Sequence, residues 1–138
     1  MRVRLSNRQK EVPVRVRPLL RQLKSSLALL PGALPEHLEE IEIVLVDRAT
    51  MARVHGDFLG DPTETDVITF PYGEILVCPA VAQEQAPGHG LKVEEEVLLY
   101  GLHGLLHLVG YDDTTPAKAR KMAEVQGQLL KRVLGAAN

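Results

Sequence analysis

The chain has a single cysteine, Cys78, among 138 residues. No internal disulfide can form, and a reducing compartment, the cytoplasm, is the expected setting. The sequence also lacks any apolar run of about 18 residues, the length that would suggest a membrane-spanning helix. The basic opening stretch, Met1 to Lys10, has no apolar run behind it, so it does not read as a secretory signal. Repeats, low-complexity tracts and long linkers are absent too, which leaves one domain, residues 1–138, as the expected organisation. What is present is ordinary globular composition, 45% apolar and 25% charged. A chain of this size buries roughly two-thirds of its unfolded surface and needs no covalent staple.

The net charge of −2 conceals segregation. Residues 1–24 carry eight Lys/Arg against one acid, Glu11. Residues 25–117 carry sixteen acids against three basic residues, and residues 118–138 five basic residues against one acid. Two readings are open. The basic ends can lie against the acidic middle and neutralise it. Alternatively Arg2, Arg4, Arg15, Arg17 and Arg21, with Arg8, Lys10 and Lys24, can form a face for a polyanion such as RNA.

Apolar spacing gives the elements. Val3 and Leu5 alternate with arginines, which suits a half-buried strand. Leu19, Leu20, Leu23, Leu27 and Leu30 fall at helical spacing, with Pro18 predicted in the first turn. Ile41 to Asp47 is apolar on both faces and reads as a central strand. Thr50 is the predicted cap of a short helix from Met51 to Phe58. Thr65–Phe70 and Glu74–Cys78 flank Pro71-Tyr72-Gly73 and read as a hairpin. A short helix is predicted over Val81–Ala86. Lys92 to Val109 is a helix with three acids in its first turn, which suit the dipole, and an apolar surface nearly all round, which predicts burial. Gly110 stops it. Thr115-Pro116 opens a last helix, to about Leu134, with Met122, Val125, Leu129 and Val133 inward.

Within the apolar helix stand His103 and His107. Four residues apart, they share one face. Two imidazoles on such a helix are costly unless their nitrogens find partners, and a shared metal ion would serve both. The glycine stop then turns the chain back, so that Asp113 can join them. Three protein ligands would leave a fourth position open, as in a catalytic zinc site. Asp112 is the alternative third ligand. Zinc is the expected ion, one per chain, although nickel, cobalt or manganese would accept the same donors. His37, His55 and His89 read as solvated or locally hydrogen-bonded, with His55 the one to watch. Zinc proteases place a glutamate directly after the first histidine as general base. Here Gly104 occupies that position, which argues against a peptidase and leaves room for something to approach the metal.

Gly101–Asp113, GLHGLLHLVGYDD, resembles the H-G-x-L-H-L-x-G-Y-D-H motif of YbeY-type endoribonucleases, the bacterial rRNA maturation factors. Thr65-Asp-Val-Ile-Thr-Phe70 is similar to that family's T-D-V-L-S-F strand, and Gly73–Pro79 to its G-D-I-x-I-C/S strand. The resemblance implies an α/β (α+β) fold: a small, mixed four-stranded sheet packed with about five helices, the metal helix among them. It also implies a metal-dependent single-strand endoribonuclease in ribosomal RNA maturation and ribosome quality control, in which zinc-bound water attacks a phosphodiester. Ribosomal RNA and the small ribosomal subunit are the implied partners, with no role for DNA or membrane. Three positions depart from the pattern. Asp113 stands where the third ligand is usually histidine. Leu59 stands where an arginine is expected, with Arg53 or an N-terminal arginine available to replace it. Glu74 replaces an aspartate; it can be a solvent-facing strand residue, a partner behind a ligating histidine, or a base for water. A ribosome-assembly or RNA-binding factor with a structural metal and no cleavage is the competing function that Leu59 favours.

Overall fold

A computed structural model describes residues 1–136; the last two residues of the expected domain lie outside the described residues. Four strands form one mixed sheet: β1 (Arg2–Asn7), β2 (Glu40–Leu45), β3 (Val67–Phe70) and β4 (Glu74–Val77). Their order across the sheet is β1-β2-β4-β3. β1 and β4 run parallel to β2 on either side of it, and β3 returns antiparallel to β4. The strand with apolar residues on both faces is therefore central, as its pattern predicts, and the expected hairpin closes the edge of the sheet.

Five α-helices surround the sheet: α1 (Val16–Ser26), α2 (Arg48–Leu59), α3 (Pro79–Gln85), α4 (Val93–Leu108) and α5 (Pro116–Ala136). One sheet face, with Ile41, Ile43, Ile75 and Val77, packs into a core shared with Leu23 of α1, Leu102 and Leu105 of α4 and Met122 of α5. The other face, with Val44, Ile68 and Leu76, packs against Met51 of α2 and Val81 of α3. Alternation along each strand sorts the side chains between these two layers. α4 is enclosed by α1, α3, α5 and the β3–β4 hairpin, which explains its apolar circumference.

The start of α2 differs from the expectation, and α1 keeps Pro18 in its first turn as expected. α2 begins at Arg48, capped by Asp47 rather than Thr50: the Asp47 carboxylate accepts from the Thr50 backbone N–H at 2.7 Å. The side chain that continues the strand alternation in sequence is thus an N-cap. α1 starts at Val16, so Pro18 is third in its first turn, where its missing N–H costs nothing.

Candidate metal centre

α4 places His103 and His107 one turn apart, half-buried, with ring centroids 4.7 Å apart and planes crossed at 79°. Their Nε2 atoms face each other at 3.1 Å. His103 Nδ1 lies 2.6 Å from the Gln126 side-chain oxygen on α5. An amide oxygen only accepts, so Nδ1 carries the proton and Nε2 presents a lone pair. Burial and the neighbouring His103 hold His107 below the ordinary histidine pKa, against the opposing pull of Asp113 and the Tyr111 backbone. The His107 ring is thus suited to the neutral form that ligates a metal.

Gly110 reverses the chain with φ at +105°, a conformation that favours glycine. The reversal is fastened by the Tyr111 N–H donating to the Leu106 carbonyl at 3.0 Å. Asp113 comes back to the helix, and its carboxylate and the two imidazoles offer donor atoms all within 4.8 Å of one another. Bonds of about 2.0–2.1 Å in a tetrahedral site put neighbouring donors about 3.3 Å apart, close to the observed Nε2 separation. The donor set fits a divalent ion. Asp112 is engaged elsewhere: it accepts from the Thr114 N–H at 3.1 Å and hydroxyl at 2.7 Å, and those bonds hold its carboxyl below the usual range.

The histidines open onto a cleft of about 370 Å³, walled by Pro35, His37, Val67, Thr69, Pro71 and Leu108. Thr69 Oγ1 is buried in that wall without a hydrogen-bond partner. His37, Thr69 and Gln126 escape the sequence reading. Gln126 alone had a signal, four residues beyond Met122 on the inward side of α5.

Other candidate residues lie apart from the histidines. Glu74 shares the sheet face of Leu76, opposite that of Ile75 and α4, and its carboxylate accepts from the Tyr72 hydroxyl at 2.9 Å. The structure does not bring it to the imidazoles. Arg2 and Arg4 sit on β1, at the sheet edge opposite β3, paired with Glu40 at 3.8 and 3.0 Å. Arg15 pairs with Glu94 at 3.4 Å, whereas Arg17 and Arg21 are exposed on α1. Leu59 is 63% exposed at the end of α2. His55 Nδ1 contacts the Thr63 carbonyl at 2.9 Å. His89 Nδ1 contacts buried Glu96 at 2.8 Å.

Gly104 has a different role from the one its place in the motif suggests. A Cβ there would lie 2.6 Å from Ile75 Cγ2. The space is filled by the sheet, and the glycine lets α4 rest directly on β4.

Comparisons with known proteins agree with this arrangement. The family model described as Endoribonuclease YbeY matches residues 4–134. A curated relative of that name from Renibacterium salmoninarum is 40% identical, with 70% of this chain and 72% of the relative covered. Another from Protochlamydia amoebophila is 43% identical, with 66% and 73% covered. The solution structure of a Thermotoga maritima protein superposes with a TM-score of 0.66 at 29% identity, over 97% of this chain and 90% of that one. With the fold, the motif and the family model in agreement along nearly its whole length, the chain belongs to the endoribonuclease YbeY family.

Proposed function

We propose that the protein is a metal-dependent single-strand endoribonuclease acting in ribosomal RNA maturation and ribosome quality control, with zinc held by His103, His107 and Asp113. The observation that carries this reading is the meeting of two imidazole Nε2 atoms at 3.1 Å, with a carboxylate alongside, in a cleft of an endoribonuclease-family chain. Two imidazole nitrogens this close beside a carboxylate are placed so that a single cation can be shared by all three groups. When bound, a zinc ion supplies Lewis acidity, lowering the pKa of a coordinated water to about 7 and offsetting charge on phosphate oxygens.

The chain's own residues do the rest. Gln126 fixes the tautomer and orientation of His103, leaving its Nε2 free. Asp113 contributes a negative charge that two histidines alone would lack, so the site acidifies water less than a three-histidine site. The unpartnered Thr69 hydroxyl donates to a non-bridging phosphate oxygen, which resolves its orphaned state. Pro35, Val67, Pro71 and Leu108 form the apolar side of the cleft and strengthen electrostatic contacts within it. The partners on this reading are ribosomal RNA and the small ribosomal subunit, and the setting is the cytoplasm. No described helix is long and apolar enough to cross a membrane.

One observation favours a second reading, a ribosome-assembly factor that binds RNA around a structural metal. None of the residues lining the cleft is Lys or Arg, and Leu59 supplies no charge for the transition state. Incubation of the purified protein with ribosomal RNA fragments, with and without chelator, decides between them. Chelator-sensitive cleavage that is absent in His107→Ala supports the nuclease. Tight RNA binding without such cleavage supports the assembly factor.

A further inference from the structure

The chain has five aromatic rings, two Phe and three Tyr, and no Trp. Three of the five form one ladder: Phe58 meets Phe70 edge-on at 5.3 Å, and Phe70 stacks on Tyr72 at 5.4 Å with planes 18° apart. Two of these rings are largely in solvent, Phe58 at 67% and Tyr72 at 65% exposure. A chain so poor in aromatics would ordinarily place them in its core. Tyr72 is held in position through its hydroxyl bond to Glu74, so its free face is presented without further ordering.

The ladder wraps the outer edge of β3, where it borders a second groove walled by His55, Leu59, Thr65 and Ile68 together with Val67 and Thr69. Val67 and Thr69 also wall the metal cleft. The two depressions therefore lie side by side, with the edge strand β3 between them. None of the residues lining the edge groove is Lys or Arg, and Glu74 adds a carboxylate beside Tyr72. Such a surface repels a phosphate and accepts a flat, uncharged group with a π-face.

We infer that Phe58, Phe70 and Tyr72 form a base-stacking platform that holds unpaired nucleobases of single-stranded RNA next to the metal cleft. The inference rests on the nuclease reading for its ligand class. Adjacency to the cleft selects RNA as the occupant: Val67 and Thr69 wall both grooves, so a strand with one phosphate at the histidines reaches the ladder by crossing the edge strand β3. Stacking is sequence-tolerant, since every base has a π-face, and needs no cation. This platform would hold the strand at the position where Leu59 offers no charge.

The test is binding of short single-stranded RNA carrying 2-aminopurine, whose fluorescence is quenched by stacking. The full chain is used, both zinc-loaded and chelator-treated, so that base contact is read apart from cleavage. Tyr72→Leu and Phe58→Leu should each weaken binding about five- to hundred-fold and remove the quenching. Tyr72→Phe should keep the quenching and lose less affinity than Tyr72→Leu, since it retains the ring and loses only the bond to Glu74. An oligonucleotide with abasic sites should bind the wild type more weakly than intact RNA, and bind Tyr72→Leu no more weakly. Both replaced rings are exposed, so the variants should fold, and circular dichroism checks this. Unchanged affinity and quenching in folded Tyr72→Leu would overturn the platform. So would a dimer that Tyr72→Leu dissolves without loss of RNA affinity, since the patch would then serve self-association. Stacking without chelator-sensitive cleavage would instead remove the nuclease reading and leave the platform standing.

Discussion

Gly104→Ala pits two known effects against each other. Alanine is favoured over glycine in a helix interior by about 0.8–1.0 kcal/mol. The new Cβ, however, would lie 2.6 Å from Ile75 Cγ2, 2.8 Å from Cδ1 and 3.0 Å from Cγ1. Cγ1 and Cγ2 are bonded directly to the Ile75 Cβ and move only with χ1, which is stiff in a β-branched residue. Ile75 is fully buried in the central part of the sheet, so its backbone has nowhere to retreat. Overpacking of this kind costs about 1–3 kcal/mol, and the rigid contact places this case in the upper half of that range. The net expectation is a loss of about 1–2 kcal/mol, or a few degrees in Tm for a domain of this size. Gly101→Ala is the control: its Cβ would meet Leu23 Cδ2 at 2.8 Å, with the next atoms of that side chain at 3.9 Å. A leucine tip can swing aside, so the cost there is small. Urea denaturation of both variants, and of Gly104→Ala combined with Ile75→Ala, checks the reasoning. The double variant should lose less than the sum of the singles. A Gly104→Ala protein as stable as wild type, or strict additivity with Ile75→Ala, would refute the packing account of this glycine.

Asp113→Ala should lower zinc stoichiometry after dialysis, while Asp112→Ala leaves it near one and instead loosens the turn before α5; metal analysis of both proteins reads this, and the reverse result moves the ligand by one residue. Asp47→Ala should cost about 0.5–2 kcal/mol at neutral pH through loss of the α2 cap. Its hydrogen bonds to Thr50 hold the Asp47 carboxyl below its ordinary value of 3.8, so the contribution is full above that value and fades as pH falls through the depressed one. The wild-type and variant curves of stability against pH should therefore converge in acid, and a gap that persists there would show the loss is not the cap. His89→Ala removes the imidazole that contacts both oxygens of Glu96, a carboxylate with no exposure. Water can replace a half-exposed imidazole in part, so a cost of about 1–3 kcal/mol is expected in urea denaturation, and an unchanged midpoint would refute the role of His89 as the partner of Glu96.

The elements that could be read from the sequence are those whose cause is local. The α4 pair is legible because two imidazoles interrupt an otherwise apolar helix at a spacing of one turn, and Gly110 shows where the chain reverses. The β3–β4 hairpin is legible because two apolar runs flank Pro71-Tyr72-Gly73. Asp47 reads as a strand residue in the sequence and proves to be a helix cap, since one side chain can continue a strand or cap a helix and only its hydrogen bond to Thr50 distinguishes the two. The reason for Gly104 was hidden because its neighbour, Ile75, lies in a distant strand. His37, Thr69 and Gln126 join the site through tertiary contact from a loop, an edge strand and another helix. No local pattern records such a meeting.

Charge segregation left two readings open, and the ion pairs sort the arginines between them. Arg2 and Arg4 are committed to Glu40, Arg8 reaches Glu42 at 4.0 Å, and Arg15 reaches Glu94. Arg48 ties Glu64 and Glu84 together. Among the described residues, no ion pair includes Arg17 or Arg21. Exposed pairs add little stability, but they do cancel the field that would attract a polyanion. Each phosphate neutralised on a single strand contributes about −0.7 to the slope of log affinity against log salt. Contacts from Arg17 and Arg21 alone give a slope of about −1.4, whereas all five candidate arginines together would give about −3.5. Binding of single-stranded RNA measured across a salt series should therefore follow the shallow line, and Arg17→Ala with Arg21→Ala should flatten it further. A slope near the steep value would mean that the β1 arginines leave their glutamates for RNA, and that the sheet edge opposite β3 belongs to the binding face.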